Sequence, residues 1–499
     1  MSSTFGTYNI AYSGMYVNQA GLATVTNNLA NVSTTGASRV RVSATDTDVV
    51  QSGTSSVGTG TSIASITRAR DQFLDGTYRT ENADASYYNI KNGNLSYMQE
   101  LLSEFDASGT SSTTDSSSSS DGVQSLLENF YNSWEELSKD PTSESCRESV
   151  VETADSLISG LQEIDSQLQQ LQSDAVTGVK DGVDSLNDLA GQVADLNAQI
   201  TKAESGGEEA TYLRDQRDEL LDQMSSLADI SVVQQTDGTL QVYLGGTTLV
   251  DGNTADKLTV SGDGSTSSPL TVKWADTGTE AEIDSGSIAA YMEDADQAGY
   301  TTLAASALPY DFTAGSTSSI TNLRQALNDL VTTLATDVNS LHASGYGEDG
   351  TTTGLAFFTA ADSSQPLSIT NIEVNPTLVS DVDLIAAAGT TSSGDNTVAE
   401  DIYNLSTSDN YEYNGLSMDS NDFYASVISW IGTAGDNAQS NYDTQTALVD
   451  QVNTTRQAVC SISTDEEMSN MIRYQQAYNA SAKVMTTIDT MISSLLAAL

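Results

Sequence analysis

The sequence predicts a mainly α-helical, elongated, multi-domain protein with β-rich insertions. Three observations predict this class. Apolar residues recur every three or four positions over long stretches, both chain ends carry such a repeat, and the period changes to two between residues 229 and 290. The predicted architecture is nested: the amino- and carboxy-terminal helices pair as a coiled coil, a long helical bundle built from both flanks lies inside them, and a small β-rich domain projects from the middle.

The repeat at the two chain ends places one side chain per helical turn along a narrow seam. A single helix cannot bury such a seam, so we expect the two ends to pack against each other or against other subunits. Two seam positions, Asn18 and Gln475, are polar, and polar seam residues fix the register at a cost in stability. The predicted assembly interface comprises Tyr8, Ala11, Met15, Asn18, Leu22, Val25, Leu29 and Val32 at the amino end, with Met468, Met471, Gln475, Tyr478, Ala482, Met485, Ile492 and Leu495 at the carboxyl end.

Charged residues are distributed unevenly along the chain. There are 68 acidic and 18 basic residues, a formal net charge of -50, yet the first charged side chain is Arg39 and the only one after Lys483 is Asp489. A large net charge opposes close packing of subunits, so uncharged ends suit crowding while the acidic middle stays hydrated. Uncharged ends also arise by chance, and the acidity fits either a saline habitat or a solvated exterior. Because the apolar repeat and the lack of charge occur in the same two chain ends, we favour a role of these ends in assembly over chance.

Changes of period and turn residues divide the chain into three predicted domains. Residues 1–45 with 461–499 form a terminal coiled-coil assembly domain. Residues 46–228 with 300–460 form an elongated helical bundle domain, and residues 229–299 form a β-rich inserted domain.

The helices follow from the repeat and its flanking turn residues. The first helix ends before Gly36, as helices often end before a glycine. The register slips by one residue near Gly178 and Gly182, which predicts a bend or a change of packing partner there. The serine-rich stretch 111–120 is predicted to be a flexible loop. Helices are expected over residues 4–33, 70–105, 122–139, 143–203, 211–227 and 320–342, and from 421 onward.

Alternating apolar residues and turn signals predict strands in two regions. Residues 231–235 and 240–244 flank a Thr-Asp-Gly turn and indicate a hairpin, and residues 270–274 indicate a further strand. Short strands of the bundle domain are expected at residues 367–374 and 378–383.

Composition excludes several classes of function. A general nucleic-acid footprint needs clustered Lys and Arg, which this acidic chain disfavours. Six basic residues do lie between Arg39 and Lys91, and we interpret them as ion-pair partners of neighbouring subunits or of Asp46, Asp48, Asp71 and Asp75. No run is long enough to span a membrane and no cleavable secretory signal is visible, so the protein stays inside the cell or leaves by another route.

No set of residues predicts a catalytic, cofactor or metal site. His342 is the only histidine and follows an apolar helix, where a structural role is favoured over catalysis. The glycines at residues 57–62 lack the βαβ context and the lysine of a phosphate-binding loop. Cys146 and Cys460 indicate small buried or half-buried residues, although a disulfide between them stays open. The EF-hand spacing is absent around Asp251, Asp256 and Asp263.

Several motifs resemble those of bacterial flagellar axial proteins, the family of rod, hook and hook-associated proteins. The amino-terminal motif is NNLAN at 27–31, followed by Thr35-Gly36 and Ser38-Arg39; in the family an aromatic residue usually replaces Ala37. The carboxy-terminal motif is DEEMSNMIRYQQAYNASAK at residues 465–483. Interior motifs are similar to the hook-associated protein 1 branch: TRARDQFL at 67–74, YLRDQRDELL at 212–221, and VNSLHASG at 338–345 with GLAFF at 354–358.

The resemblance implies a structural subunit, not an enzyme, at the junction between the flagellar hook and filament. It implies export through the flagellum's own type III apparatus, with the protein cytoplasmic before export and extracellular afterwards. The implied partners are copies of the chain in a ring or tube, hook protein below, hook-associated protein 3 above, and a cytoplasmic export chaperone on the carboxy-terminal helix. No cofactor, nucleic acid or membrane is implied. The alternatives are hook-associated protein 3 or flagellin, a secreted coiled-coil adhesin or effector, and an exported cell-wall hydrolase.

The terminal helices also carry an expectation about assembly. An isolated amphipathic helix is only marginally stable in water, because nucleation is costly. We therefore expect the terminal segments to fray in a single molecule and to fold as they pair in a growing tube.

Overall fold

Long helices dominate the computed structural model, and short antiparallel sheets lie between them. The structure describes residues 4–47, 49–52, 55–102, 122–207, 209–298, 300–301, 317–392 and 394–497. The serine-rich stretch predicted to be a flexible loop, residues 111–120, lies outside these ranges.

Groups of strands alternate with helices along the chain. The helices are α1 (Thr4–Ala30), α2 (Gln72–Leu101), α3 (Val123–Lys139), α4 (Glu144–Glu204), α5 (Thr211–Leu227), α6 (Ser287–Ala295), α7 (Ser319–Ser344), α8 (Pro376–Ser380), α9 (Thr397–Asn404), α10 (Ser420–Cys460) and α11 (Thr464–Ala497). The strands are β1 (Val40–Asp46), β2 (Val49–Ser52), β3 (Ser55–Gly58), β4 (Thr61–Arg68), β5 (Ile230–Gln234), β6 (Leu240–Leu244), β7 (Thr247–Asp251), β8 (Thr254–Ala255), β9 (Leu258–Ser261), β10 (Thr271–Trp274), β11 (Phe358–Thr359), β12 (Glu373–Val374), β13 (Tyr411–Tyr413) and β14 (Leu416–Met418).

The long helices begin and end where their sequence signals predict. After α1, Gly36 has a positive φ of 76°, which a glycine adopts without steric cost. Helix α4 begins after Ser143, whose side chain accepts a hydrogen bond from the amide of Cys146. A break after Cys460 separates the last two helices. The helical expectations are therefore confirmed, apart from residues 103–105 of the helix expected over 70–105, which lie outside the described ranges.

Of the strand expected at residues 367–374 only Glu373–Val374 forms one, and the strand expected at residues 378–383 is wrong. This segment instead holds helix α8 and a short 3₁₀ turn over Val382–Leu384. The Asn375 side chain accepts a hydrogen bond from the amide of Thr377, and Pro376 occupies the first helical turn. An Asn cap followed by proline is a helix start, and it overrides the apolar alternation that suggested a strand.

Helix α4 is the central support of the molecule, with a length of ~90 Å at 1.5 Å per residue. It does not end at the predicted register slip; instead its packing partner changes there. On one side of the slip, Leu157, Leu161 and Leu168 pack in a core with α3 and α7. Beyond it α4 contacts α6, because Gly178 and Gly182 lack the side chains that would collide with Tyr291 and Ile288.

Helices α2 and α10 form an antiparallel pair beside α4. The Asn92 amide donates to Gln439 at 3.0 Å, and the Gln99 amide donates to the carbonyl of Ile431 at 3.3 Å. Helix α5 lies antiparallel to the end of α4, with Arg214 bonded to Glu204 at 2.7 Å, as the short connection between them predicts.

The β-rich segment after α5 contains the predicted hairpin. Strands β5 and β6 pair with Ile230 opposite Leu244, and β7 and β8 complete a four-stranded antiparallel sheet. Strands β9 and β10 form a separate antiparallel pair, and buried residues of both sheets, including Val242 on β6 and Trp274 on β10, pack on α4 and α5. Helix α6 follows the strands, and it carries an apolar face that the strand pattern did not predict.

Two interior motifs meet in the core around α7. The Asn339 side chain accepts hydrogen bonds from the amides of Phe357 and Phe358, each at 2.8 Å, and donates to the carbonyl of Phe358 at 2.9 Å. His342 is buried, with Nδ1 2.7 Å from the carbonyl of Leu355 and Nε2 accepting from the amide of Ala386 at 3.0 Å. Hydrogen bonds in the core therefore join the VNSLHASG and GLAFF motifs.

Candidate assembly interface

The terminal helices pack against each other in an antiparallel pair, here called the terminal pair (α1 with α11). Three contacts at seven-residue spacing set its register. Gly14 faces the side chain of Ser481, Gly21 faces the ring of Tyr474, and Asn28 bonds Glu467. A repeat of seven on both helices is the spacing of a coiled-coil seam. The predicted pairing of the two chain ends is thereby confirmed.

A buried polar cluster closes one end of the terminal pair. Asn28 donates to the carboxylate of Glu467 at 3.1 Å and to the carbonyl of Val40 at 2.9 Å, while its Oδ1 accepts from the Val40 amide. Arg39 donates from Nε to Glu467 at 2.8 Å and from Nη1 to Glu466 at 2.6 Å. The amide of Arg39 also donates to the carbonyl of Cys460 at 2.9 Å. The NNLAN and DEEM motifs therefore meet in one cluster.

The residues of the predicted interface occupy different environments within the single chain. Ala11 and Val25 are buried; Val32, Met468 and Gln475 are exposed; and the side chain of Leu495 is not among those that the structure describes. The half-buried residues are Tyr8, Met15, Asn18, Leu22, Leu29, Met471, Tyr478, Ala482, Met485 and Ile492. One chain shows only the contacts within a subunit, so a role of these residues between subunits stays a prediction.

Several residues of the terminal pair were not found from the sequence. Gly14 and Gly21 have no apolar side chain, and Glu467 and Asn28 are polar, so a search for apolar periodicity passes over them. Ile488 is among the most deeply buried residues of α11, at 2% exposure, and it fills the gap left between two seam positions. The signal that would have found the glycines is their seven-residue spacing.

Exposed apolar side chains concentrate on the terminal segments. Among the described residues, 17 large hydrophobic side chains are exposed, and nine of them lie before residue 33 or after residue 467. Scattered exposed hydrophobics are normal on a monomer, but a concentration of them marks an interaction surface. We call this set the outer stripe: Ile10, Tyr12, Tyr16, Val32, Met468, Ile472, Val484, Met491 and Leu496.

A row of carboxylates on α5 holds the segments that lead to and from the terminal pair. Asp215, Asp218 and Asp222 follow each other at spacings of three and four, so they lie on one face of the helix. We call them the carboxylate row. Asp215 accepts from the amide and hydroxyl of Ser38, just beyond α1, at 3.0 and 2.5 Å, and from Arg68, at the end of β4, at 2.7 Å.

The rest of the row binds α2 and α10. Asp218 lies 2.8 Å from Arg68, 3.3 Å from Arg70 and 3.5 Å from Arg79. Asp222 accepts from Arg79 at 2.9 Å and from Arg456, near the end of α10, at 2.7 Å.

The charges in this cluster support one another. Burial opposes ionisation of Asp218, but Arg70, Arg68 and Arg79 outweigh it and hold the pKa of its carboxyl below the usual range. Arg70 does pair with Asp75 at 3.1 Å, as one sequence interpretation proposed. The other cations mostly find distant acids instead, such as the carboxylate row. The motifs TRARDQFL and YLRDQRDELL thus meet as arginines and carboxylates of one network.

The described residues include no cluster suited to binding a metal ion. Across these ranges, no group of three or more His, Cys, Asp or Glu side chains is placed to hold a metal ion. Nor does the described part of the chain contain a helix with the length and apolarity needed to cross a membrane. Cys146 and Cys460 are both free thiols.

Two family models match the chain. The helical domain of flagellar hook-associated protein FlgK matches residues 113–358, and the C-terminal region of the flagellar basal body rod proteins FlgEFG matches residues 461–498. The second match covers α11, which carries the Glu467, Tyr474 and Ser481 positions of the terminal pair.

Full-length relatives point the same way. The chain is 29% identical to flagellar hook-associated protein 1 of Bacillus subtilis, over 99% of this chain and 98% of the relative. It is 23% identical to the protein of that name from Escherichia coli, over 98% of both chains. A solved structure of the flagellar hook junction protein FlgK from Burkholderia pseudomallei shares the fold, with a TM-score of 0.58, 15% identity, and coverage of 78% of this chain and 100% of that chain. The chain belongs to the flagellar hook-associated protein 1 family, a family of structural, non-enzymatic proteins of the bacterial flagellum.

Proposed function

We propose that this chain is a structural subunit of the junction between the flagellar hook and filament, and that its terminal pair carries assembly. The observation that carries the proposal is the terminal pair itself. Its inner side is fixed by close contacts and a buried ion pair, while its outer stripe is apolar and exposed. The names of the relatives place those proteins at the hook, which agrees with an assembly role.

The outer stripe provides the driving force for contact with other subunits. Burying a large apolar side chain contributes ~1.5–3 kcal/mol before the entropy of ordering is subtracted. The uncharged stretch before Arg39 places no charge against a neighbour, so close packing there carries little electrostatic cost. The predicted interface residues and the outer stripe together would surround the terminal pair with neighbours.

The domain organisation fits this division of labour. In our proposal, residues 1–45 with 461–499 act as the assembly domain, residues 46–228 with 300–460 as the bundle that gives the subunit its length, and residues 229–299 as an outward β-rich insertion. The carboxylate row holds the assembly domain on the bundle, because Asp215 binds Ser38 of the assembly domain. The row also binds Arg68 and Arg456, which lie in bundle segments that lead to and from that domain.

The proposed partners follow from position in the flagellum. Copies of this chain would form a ring or tube, with hook protein below and hook-associated protein 3 above. Before export through the type III apparatus, a cytoplasmic chaperone would cover α11. That helix has five exposed large apolar side chains among its described residues, and such a surface favours a bound partner.

A deletion strain tests the proposal. Cells that lack the gene should build hooks but no filaments, and the full-length gene should restore both filaments and motility. Immunogold labelling should place the protein at the hook–filament boundary. Normal filaments in the deletion strain, or label along the cell surface as expected for an adhesin, would reject the function. Label along the whole filament would favour a flagellin.

A truncation tests the assigned role of the terminal pair. A chain without residues 1–35 should keep the folded bundle, measured by circular dichroism, but fail to restore filaments. In the dilute full-length monomer, hydrogen exchange should be fast in α1 and α11 and slow in α4 and α7. Full restoration of motility by the truncated chain, or rigid protected termini in the monomer, would contradict the proposed coupling of folding to assembly.

A further inference from the structure

The net charge of this protein lies entirely outside its terminal segments. Residues 1–45 and 461–499 contain four basic residues, Arg39, Arg41, Arg473 and Lys483, and four acidic residues, Asp465, Glu466, Glu467 and Asp489. Removing these from the totals of 18 and 68 leaves 14 basic and 64 acidic residues at positions 46–460, which we call the body. The body therefore carries the whole charge of -50, and the bodies of neighbouring subunits repel each other.

Two arginines of the terminal segments face a common cleft. Arg41 on β1 and Arg473 on α11 line a cleft of about 260 Å³ between α1, β1 and α11. Both side chains are exposed, and within the described ranges neither forms an ion pair, whereas the nearby Arg39 is bound to Glu466 and Glu467. The Arg473 guanidinium lies 5.3 Å from the centre of the Tyr474 ring.

The environment of the cleft leaves these two charges available. Its carboxylate, Glu467, is engaged by Arg39 and by Asn28. The remaining lining includes Thr24 and Asn470, which are neutral. The cleft is therefore a positive site on a protein whose surface is otherwise strongly acidic.

We infer that the Arg41–Arg473 cleft receives carboxylates from the body of a neighbouring copy of this chain. The inference rests on the proposed function, in which copies of the chain adjoin one another. Charge complementarity selects the occupant, since every subunit presents terminal segments with no net charge and two arginines outside any ion pair of the described chain, and a body with a large excess of acids. Guanidinium groups also bind carboxylates through paired, directional hydrogen bonds.

This contact would do more than relieve repulsion. It joins two different surfaces, the cleft of one subunit and the body of the next, so it is a head-to-tail contact. Head-to-tail contacts propagate around a ring or along a helix, whereas a contact between identical patches stops at two subunits. Charged contacts also reject wrong orientations, so the arginine cleft would set the direction in which subunits add.

Photo-crosslinking in assembled flagella identifies the occupant directly. A photoreactive phenylalanine analogue replaces Arg41, the flagella are irradiated, and the crosslinked peptides are sequenced by mass spectrometry. The expected product is a dimer of this chain that joins position 41 to a peptide from residues 46–460. A product with hook protein, flagellin or another protein would overturn the inference, as would no product from position 41 when the same group at the outer-stripe position Tyr16 gives one.

Charge reversal supplies an independent test. Arg41→Glu and Arg473→Glu should each reduce the number of filaments per cell on the order of tenfold, with the loss greatest at low ionic strength. Lys202→Glu makes the same charge change at an exposed lysine on α4 and should leave filament number unchanged. Arg41→Lys and Arg473→Lys should restore most filaments. Normal filament numbers in both reversal variants would overturn the inference.

Failure of this inference is distinguishable from failure of the proposed function. If the deletion strain makes normal filaments, the chain is not needed at the junction. If the deletion strain lacks filaments but both charge-reversal variants restore them, the function stands and only the arginine cleft is refuted. Equal thermal unfolding of the purified variants and the natural protein shows that a lost filament reflects lost contact; where unfolding differs, the crosslinked product decides.

Discussion

The backbone of Gly21 lies directly against the ring of Tyr474 where α1 and α11 pack together. A Cβ atom added to Gly21 would lie 2.5 Å from Cε1 and 2.7 Å from Cζ of that ring. Seven residues earlier, a Cβ on Gly14 would lie 3.2 Å from the hydroxyl of Ser481. The two glycines let the helix backbones approach where a larger residue would separate them. The terminal pair therefore depends on the absence of side chains as much as on their presence.

Replacing Gly21 by alanine tests this dependence. In an isolated helix the change would stabilise by up to ~1 kcal/mol. Here the tyrosine ring must move to accommodate the methyl group, and overpacking of this kind costs ~1–3 kcal/mol. We expect Gly21→Ala to reduce filament number and to speed hydrogen exchange across residues 470–478 in assembled flagella.

Gly6 is the matched control in the same helix. A Cβ at Gly6 would meet no atom within 4 Å of the described structure, so Gly6→Ala gains helix propensity without a collision inside the subunit. Its filament number should equal that of the natural protein. Equal behaviour of Gly6→Ala and Gly21→Ala would contradict the close contact with Tyr474.

The terminal pair shows what apolar periodicity can and cannot predict. It predicted that two seams exist and that the ends of the chain meet, because side chains on one face of a helix must find a partner. It did not predict the line of closest approach, which runs through Gly14, Gly21 and Asn28. Positions of closest approach select small residues, and a hydrophobic count gives such residues no weight.

The ion pairs show a different limit of prediction from the sequence. A charge in the sequence has many potential partners, and nearness along the chain favoured Asp46, Asp48, Asp71 and Asp75 for the amino-terminal arginines. The folded chain brings α5 to Arg68 instead, across roughly 150 positions. Only topology decides that partner, although the spacing of three and four within the carboxylate row was visible in the sequence.

The buried Glu467 provides a second prediction. Its carboxylate binds both Arg39 and Asn28, and its side chain is only 2% exposed. Glu467→Gln keeps the size but removes the charge, and hydrogen bonds to charged groups contribute ~1.5–3 kcal/mol. We expect the variant to lose that amount of pairing stability and to restore few filaments in the deletion strain.

The adjacent residue is the control for that prediction. Glu466 also binds Arg39, but its side chain is 61% exposed. Exposed ion pairs contribute ~0–1 kcal/mol, so Glu466→Gln should restore filaments almost fully. The salt dependence should differ too, since a screened surface pair weakens with salt while a buried pair changes little. If Glu466→Gln and Glu467→Gln restore filaments to the same extent, burial of Glu467 is not what holds the terminal pair.

The carboxylate row provides a third prediction, on the attachment of the terminal segments. Asp218 is surrounded by Arg68, Arg70 and Arg79, and removing one partner from a buried ionic cluster costs ~3–5 kcal/mol. Asp218→Asn should therefore lower the free energy of unfolding by that amount and speed hydrogen exchange in β4 and the first turns of α2. Asp188→Asn removes an exposed carboxylate from α4 and should change neither. Slow exchange in β4 of Asp218→Asn would show that the row does not hold this segment.

The buried imidazole of His342 gives a pH dependence with a definite sign. Burial lowers the pKa of His342 from 6.5 to about 4, outweighing the opposing effect of its hydrogen bond to the Leu355 carbonyl. Below about pH 6.5 the His342 imidazole is therefore protonated in the unfolded chain but stays neutral in the folded chain. The contribution to stability is complete above that pH and is lost progressively as the pH falls toward 4. Between pH 7 and pH 4.5 the loss amounts to about 2–3 kcal/mol.

His342→Gln isolates this contribution from the titration of the many carboxylates. A glutamine amide can donate to the Leu355 carbonyl and accept from the Ala386 amide, as the neutral imidazole does, but it does not titrate. Denaturant unfolding at pH 7 and pH 4.5 should show the variant less stable than the natural protein at pH 7, with that deficit shrinking by about 2–3 kcal/mol at pH 4.5. Carboxylates titrate equally in both proteins, so they cancel from the difference. A deficit that is the same at both pH values would mean that His342 is not held neutral in the folded chain.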